Sequence, residues 1–342
     1  MKAVGYAGTG GVEVLQNIEL PVREPGTGEV RVRITRSGVN PTDWKSRNGA
    51  IHMPIPDGRF QVPHLDGAGT VDAVGEGVDA VAVGQRVWVW LVAYQRLEGT
   101  AGEFTVIPEE LVEPLPDTAS FDLGASLGVP FITAHRALTL NEGGPTRLAP
   151  GTLDDTHILV AGGAGAVGNA AIQLGRWAGA TVITTVSSPE KAALAGAAGA
   201  HHVLNYREQD VAAEIRRISP DGVSTIVEVS PAANATLDEA VLAGNGVVAI
   251  YANNGGDAFR LPVRSLMTLN AHWHFLLLYT MPPAALRDAA DAVNHALGEG
   301  AIRAGESAGL PLHHFSLDDV AGAHAAVQSG VVGKVLIDVR ES

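Results

Sequence analysis

Cysteine is absent from the 342 residues, which excludes disulfides, thiolate zinc sites, iron–sulfur clusters and a cysteine nucleophile. Basic charge is also short: 23 Lys and Arg stand against 37 Asp and Glu, a net charge of −14. Nucleic acid or an anionic membrane surface would require a basic face, so neither is expected as a partner. Lysine is scarcer still, with only Lys2, Lys45, Lys191 and Lys334 in an otherwise arginine-based set. A lysine in such a chain marks a place where a compact, titratable cation is a candidate for function. Long apolar runs are missing. The densest, Phe275–Tyr279, is far too short to span a bilayer, and the stretch Met1–Val14 lacks a signal-peptide core. A cytoplasmic location is therefore expected. What is present is 46% hydrophobic and 18% charged, a folded globular composition with length for about two domains.

The chain changes rhythm twice. To about residue 127, Val30, Val32 and Ile34 alternate with Arg31, Arg33 and Thr35, and Val87 and Val89 alternate with Trp88 and Trp90. That period of two predicts strands with one wet face. Gly67, Gly69, Gly75, Gly77 and Gly84 supply bends for a small barrel, and no helical crossover is evident, so antiparallel pairing is expected. From 128 to 275, short apolar runs such as Ile158–Val160, Thr181–Val186 and Thr225–Val229 alternate with alanine-rich helical segments. This predicts a doubly wound parallel sheet. The loop Asn141–Asp155 precedes its first strong strand. After a helix over Ala284–Leu297, the run Val335–Ile337 is expected to rejoin the first sheet. The domains then read 1–127 with 276–342, and 128–275.

The segment Gly163-Ala164-Gly165-Ala166-Val167-Gly168 is a G-x-G-x-x-G that follows a strand and opens an apolar helix. In that setting the glycines allow a tight turn, close approach of backbone to a pyrophosphate, and close helix–strand packing. An NAD site wants a carboxylate about 20 residues further on. Here that region reads Thr185-Val186-Ser187-Ser188, with Lys191 one turn later and Tyr206 after the third strand. Those are donors and a cation, which suit a 2′-phosphate, so NADPH is expected. Glu190 is the discordant residue, read as a solvated first-turn carboxylate.

Four ordered motifs together carry a resemblance: Gly38–Lys45, Asp66–Gly77, Gly128–Ala134 and Ala161–Gly168. Along nearly its whole length the chain resembles the zinc-independent medium-chain dehydrogenases/reductases, most of all the quinone oxidoreductase branch with its ζ-crystallin-like and alkenal reductase members. The resemblance implies an α/β protein with a GroES-like β-barrel catalytic domain and a Rossmann domain. It further implies NADPH in the cleft between them and a homodimer or homotetramer, paired through an edge strand near His274–Tyr279. Zinc-dependent alcohol dehydrogenases of the superfamily hold their metal with Cys and His. The matching positions here are Asn40 and Leu65, with His64 one residue out of register, so no metal is expected.

By the same resemblance Asn40 lies beside the nicotinamide ribose and substrate, Pro130 and Thr133 lie at the nicotinamide, and Lys334 approaches from the last strand. The turn Ile250-Tyr251-Ala252 passes the other side of the ring. ζ-Crystallin-like members carry a Tyr where this chain has Lys45, a position that alkenal reductase-like members also fill with Lys. Asn40 and Lys45 are thus the candidate catalytic residues, as donors to a developing oxyanion, although Lys45 could instead pair with Asp43 or Asp66. The expected reaction is hydride transfer from NADPH to a small quinone or α,β-unsaturated carbonyl substrate. Alternatives are an enoyl-thioester reductase, or a non-catalytic NADPH-binding protein of crystallin-like or RNA-binding type.

Overall fold

Val30, Val32 and Ile34 are fully buried along the strand Glu29–Val39, and Arg31 and Arg33 on its other face both pair with Asp72. This strand organises the first of two compact units, Met1–Val129 with Pro311–Ser342. The computed structural model describes residues 1–51 and 54–340. Seven strands form the unit's main sheet. In order they are Leu312–Ser316, Lys334–Asp338, Glu29–Val39, Asp66–Val74, Arg86–Val89 and Val112–Pro114, with Phe104–Pro108 also paired to Glu29–Val39. All pairings are antiparallel except the one between Leu312–Ser316 and Lys334–Asp338. The terminal strand sits in register with Val335 opposite Val39 and Leu336 opposite Gly38.

Two features of this unit depart from the sequence reading. Trp88 and its neighbours Val87 and Val89 are all at 0% exposure, so this strand has no wet face. A helix, Pro41–Arg47, stands where only strands and turns were expected. Its start is written locally: Asn40 caps it, Pro41 takes the first helical position, and the Asp43 carboxylate returns to the Asn40 backbone N–H at 2.6 Å.

The second unit, Pro130–Leu310, holds a six-stranded, wholly parallel sheet. Its order is His202–Asn205, Thr181–Val186, His157–Ala161, Val223–Glu228, Leu242–Ile250, His272–Phe275. Counted along the chain this is 3-2-1-4-5-6, the doubly wound arrangement in which ligands bind beyond the carboxyl ends of the strands near the reversal. A core of Leu159, Ile183, Ile215, Ile226, Val248 and their neighbours fills one face. The fold is thus α/β, a GroES-like antiparallel unit and a Rossmann-like parallel one.

The chain returns to the first unit at Pro311, not at 276. Helix Pro283–Gly298 buries Ala289, Ala290, Ala292 and Val293, and the stretch after it is tied to helix Ala166–Trp177. Asn169 Nδ2 donates to the Ala308 carbonyl at 2.8 Å, and Gln173 bonds both the N–H and the carbonyl of Arg303. Polar side chains buried in a helix secure this connection, and a reading based on apolar runs passes over them. No described helix is long and apolar enough to cross a membrane.

Candidate functional site

Strand His157–Ala161 leads into the glycine loop, and helix Ala166–Trp177 begins immediately beyond it, with Gly165 as its cap. Gly165 has no side chain to satisfy the first N–H groups of the helix, which leaves them for an anion along with the positive end of the helix dipole. Gly168 is required for packing: a Cβ there would run into the Gly162 carbonyl and sit 2.9 Å from Gly163 Cα. Ala164 is buried at the turn, and Ala166 and Val167 form the first helical turn.

At the end of the next strand, Ser188 caps helix Pro189–Ala197, accepting from the Lys191 N–H at 3.3 Å. Lys191 Nζ reaches back to Ser187 Oγ at 3.1 Å. The Tyr206 N–H donates to the Val186 carbonyl, which brings that exposed tyrosine to the same strand end. Ser187, Ser188, Lys191 and Tyr206 therefore gather at one edge of the sheet. Glu190, fully exposed, has its carboxyl held below its ordinary value by Ser188 and a backbone N–H.

Ile250 ends strand Leu242–Ile250 and, with Tyr251 and Ala252 just beyond it, lines a cavity of about 290 Å³ together with Pro231, Phe259 and Phe275. The Tyr251 N–H donates to the Glu228 carbonyl at 3.1 Å. Below it Glu228 accepts from the Ser230 N–H and from Asn234 Nδ2, the latter at 3.0 and 3.1 Å to its two oxygens. Burial, then the adjacent Glu228 carboxylate, pushes Asp238 up to about 9. Pro130 and Thr133 lie buried on helix Gly128–Leu138.

In the first unit, Asn40 and Lys334 meet directly. Lys334, at 1% exposure, donates from Nζ to Asn40 Oδ1 at 2.8 Å and lies 3.4 Å from Asp66 Oδ2. Asn40 Nδ2 donates to that same Asp66 oxygen at 2.7 Å. The Val129 N–H lies 3.0 and 3.1 Å from the two Asp66 oxygens. Glycine makes room for this cluster: a Cβ at Gly38 would strike the Ala125 carbonyl and come within 3.1 Å of Lys334 Cε. Burial pushes Asp66 up and Lys334 down from their ordinary values, while each partner's charge pulls the other back. Asp43 is pushed up to about 8, chiefly by burial.

Lys45 lies half-buried in the last turn of helix Pro41–Arg47, its ammonium 5.9 Å from the Trp44 ring centroid. The ion pairs considered for it do not form: Asp66 pairs with Lys334, and Asp43 turns to the Asn40 backbone. His64 is buried in a left-handed conformation, φ +80°. The Thr100 hydroxyl donates to the Asp66 carbonyl at 2.6 Å, so Ser37 donates to Thr100 at 2.6 Å. His64 Nδ1 then donates to Ser37 at 2.8 Å, and its bare Nε2 accepts from His324 at 2.9 Å. Burial keeps both rings neutral, with His324 lowered to about 3. Ser37, Thr100 and His324 escape the sequence reading because nothing in their spacing joins them, and Asp66, read there as the start of a motif and a possible partner of Lys45, is bonded to Lys334 and Asn40 instead. The Asn40-Pro41-x-Asp43 cap is the one local signal that could have drawn attention to this cluster. Among the described residues, no three His, Cys, Asp or Glu side chains are grouped to hold a metal.

Residues 26–117 match the family model for the alcohol dehydrogenase GroES-like domain, and 166–294 match that for zinc-binding dehydrogenase. A mouse quinone oxidoreductase is 32% identical over 263 residues, covering 75% of this chain and 74% of its own length. The chain belongs to the quinone oxidoreductase family of the medium-chain dehydrogenases/reductases. Within this family's fold, a mycobacterial structure complexed with NADPH superposes with a TM-score of 0.81 at 28% identity, over 98% of this chain and 99% of that one. A 2-haloacrylate reductase superposes at 0.79 and 25% identity over the full length of both.

Proposed function

We propose that this oxidoreductase uses NADPH to reduce quinones or α,β-unsaturated carbonyl compounds, without zinc. The observation that carries the reading is the Lys334 ammonium 2.8 Å from Asn40 Oδ1 and 3.4 Å from Asp66 Oδ2. A carboxamide and a leucine take the places of the metal's Cys and His, and a resident cation already neutralises the adjacent carboxylate. That donor set does not suit zinc, which takes thiolate, imidazole and carboxylate.

The dinucleotide fit rests on the uncapped helix at Gly165 and on the Ser187, Ser188, Lys191 and Tyr206 group, which contributes donors where a 2′-hydroxyl site would place a carboxylate. When bound, NADPH supplies a hydride from its nicotinamide ring. The roles proposed for this chain's residues are to hold the dinucleotide at Gly163–Gly168, to frame the nicotinamide with Pro130, Thr133, Ile250, Tyr251 and Ala252, and to stabilise negative charge on the substrate oxygen. Asn40 has one N–H not committed to Asp66, and Lys45 offers an ammonium; both are donors of the kind a developing enolate or hydroquinone anion needs. Lys45 or water returns the proton.

The test is NADPH oxidation against a panel of a benzoquinone, a cyclic enone and an enoyl thioester. Turnover with quinone or enone at rates well above the thioester supports the reading. Turnover with the thioester alone, or with none, overturns it. Asn40→Ala should lower kcat at least tenfold.

A further inference from the structure

We propose that Asp66 and Lys334 are positioning residues that act through Asn40, locking its carboxamide in one of its two orientations so that a single N–H is left for substrate. The inference rests on the catalytic role given to Asn40 above. A carboxamide can flip with little change of shape, exchanging a donor for an acceptor. Lys334 is only a donor and ionised Asp66 only an acceptor. With Nζ at 2.8 Å from Oδ1 and Nδ2 at 2.7 Å from Asp66 Oδ2, only one orientation satisfies both. The flipped amide would face ammonium with N–H and carboxylate with a lone pair, in a place where neither repulsion is screened by water.

The holders are themselves held. Asp66 is fixed by the Val129 N–H at its carboxylate and by the Thr100 hydroxyl at its carbonyl, and Thr100 is backed by the Ser37–His64–His324 chain. The Asn40 backbone is fixed separately by Asp43. Lys334 leaves no surface of consequence, being 1% exposed, and two of its three N–H donors point at Asn40 and Asp66. This assigns Lys334 a role through Asn40 in place of direct contact with the cofactor.

A double-mutant cycle tests it. Removing one charge strands the other in the core, which is strongly destabilising, so the pair is removed together as Asp66→Leu with Lys334→Met. In the wild-type background kcat should fall about 10- to 100-fold, the order expected when a reacting geometry loosens, with KM for NADPH within about twofold. In an Asn40→Ala background the same pair should change kcat by less than about twofold, because residues that work through one group are not additive. Asp66→Asn with Lys334→Gln removes both charges but keeps groups that can bond either orientation of the amide, and gives the same comparison with less disturbance of the core. Effects that multiply across the two backgrounds, or a rise in KM for NADPH alone, would overturn the positioning role. An Asn40→Ala enzyme with wild-type turnover would instead remove the catalytic reading of Asn40 and take the inference with it.

Discussion

At the scale of single residues, Lys191 and Asp238 show how burial and partnership separate two kinds of charge. Lys191 is held by a hydrogen bond from its Nζ to Ser187 at the sheet edge. Hydrogen bonds to charged groups are worth roughly 1.5–3 kcal/mol. Lys191→Ala should therefore raise KM for NADPH about tenfold or more and leave that for NADH within about twofold; equal changes for both would remove it from phosphate recognition. Asp238 is raised to about 9 against an ordinary 3.8, so the folded protein keeps a proton there that the unfolded chain releases. Its contribution is full below about pH 4 and is lost as pH rises toward 9, at about 1.4 kcal/mol per pH unit between. Urea unfolding between pH 7 and 9 should show Asp238→Asn with a shallower decline than wild type by up to that amount; an unchanged slope would contradict it. His324 has the opposite sign, stabilising fully above pH 6.5 and losing that as pH falls toward about 3. None of these shifts was legible in sequence, because each depends on what folds over the residue and not on its neighbours in the chain. Lys191 beside two serines was legible, because a strand end followed by a helix cap places such residues together.

At the scale of elements, legibility follows periodicity. Glu29–Val39 announces itself because its two faces have different partners, apolar core on one and Asp72 on the other. Arg86–Val89 is buried on both faces, so its Trp88 looked like a solvent-facing residue although it is the largest fully buried side chain. Trp88→Ala should cost about 3–5 kcal/mol of stability, read from urea unfolding, against less than about 1 for an exposed position; a cost near that of a surface site would contradict its core placement. Helix Pro41–Arg47 is too short for a 3.6-residue period to emerge, and only its capping residues, Asn40, Pro41 and Asp43, marked it. The glycine loop was clear from its flanking strand and helix. Gly168→Ala should push helix Ala166–Trp177 off the Gly162 carbonyl and weaken NADPH binding at least tenfold by titration calorimetry; unchanged affinity would sever the loop from the cofactor.

At the scale of the whole molecule, two units were foreseeable from the change from antiparallel to alternating βα rhythm, and the terminal strand was placed correctly beside Glu29–Val39. The second crossing was not, since Asn169, Gln173 and their partners at Ala308 and Arg303 carry no pattern that links them. Strand His272–Phe275 ends the parallel sheet with Phe275 and Leu277 exposed by 67% and 54%. We propose that a second copy covers it, as the family resemblance implied, and sedimentation should give at least a dimer; a monomer at micromolar concentration would contradict this. The account depends most on hydride passing from NADPH to a conjugated carbon acceptor. Its most direct measurement is mass spectrometry of the product formed from a cyclic enone and NADPH deuterated at C4 on the transferred face. The account predicts one deuterium, on the carbon β to the carbonyl, in the saturated ketone. NADPH consumed without deuterium in that product, or neither saturated ketone from the cyclic enone nor hydroquinone from a benzoquinone, would contradict it.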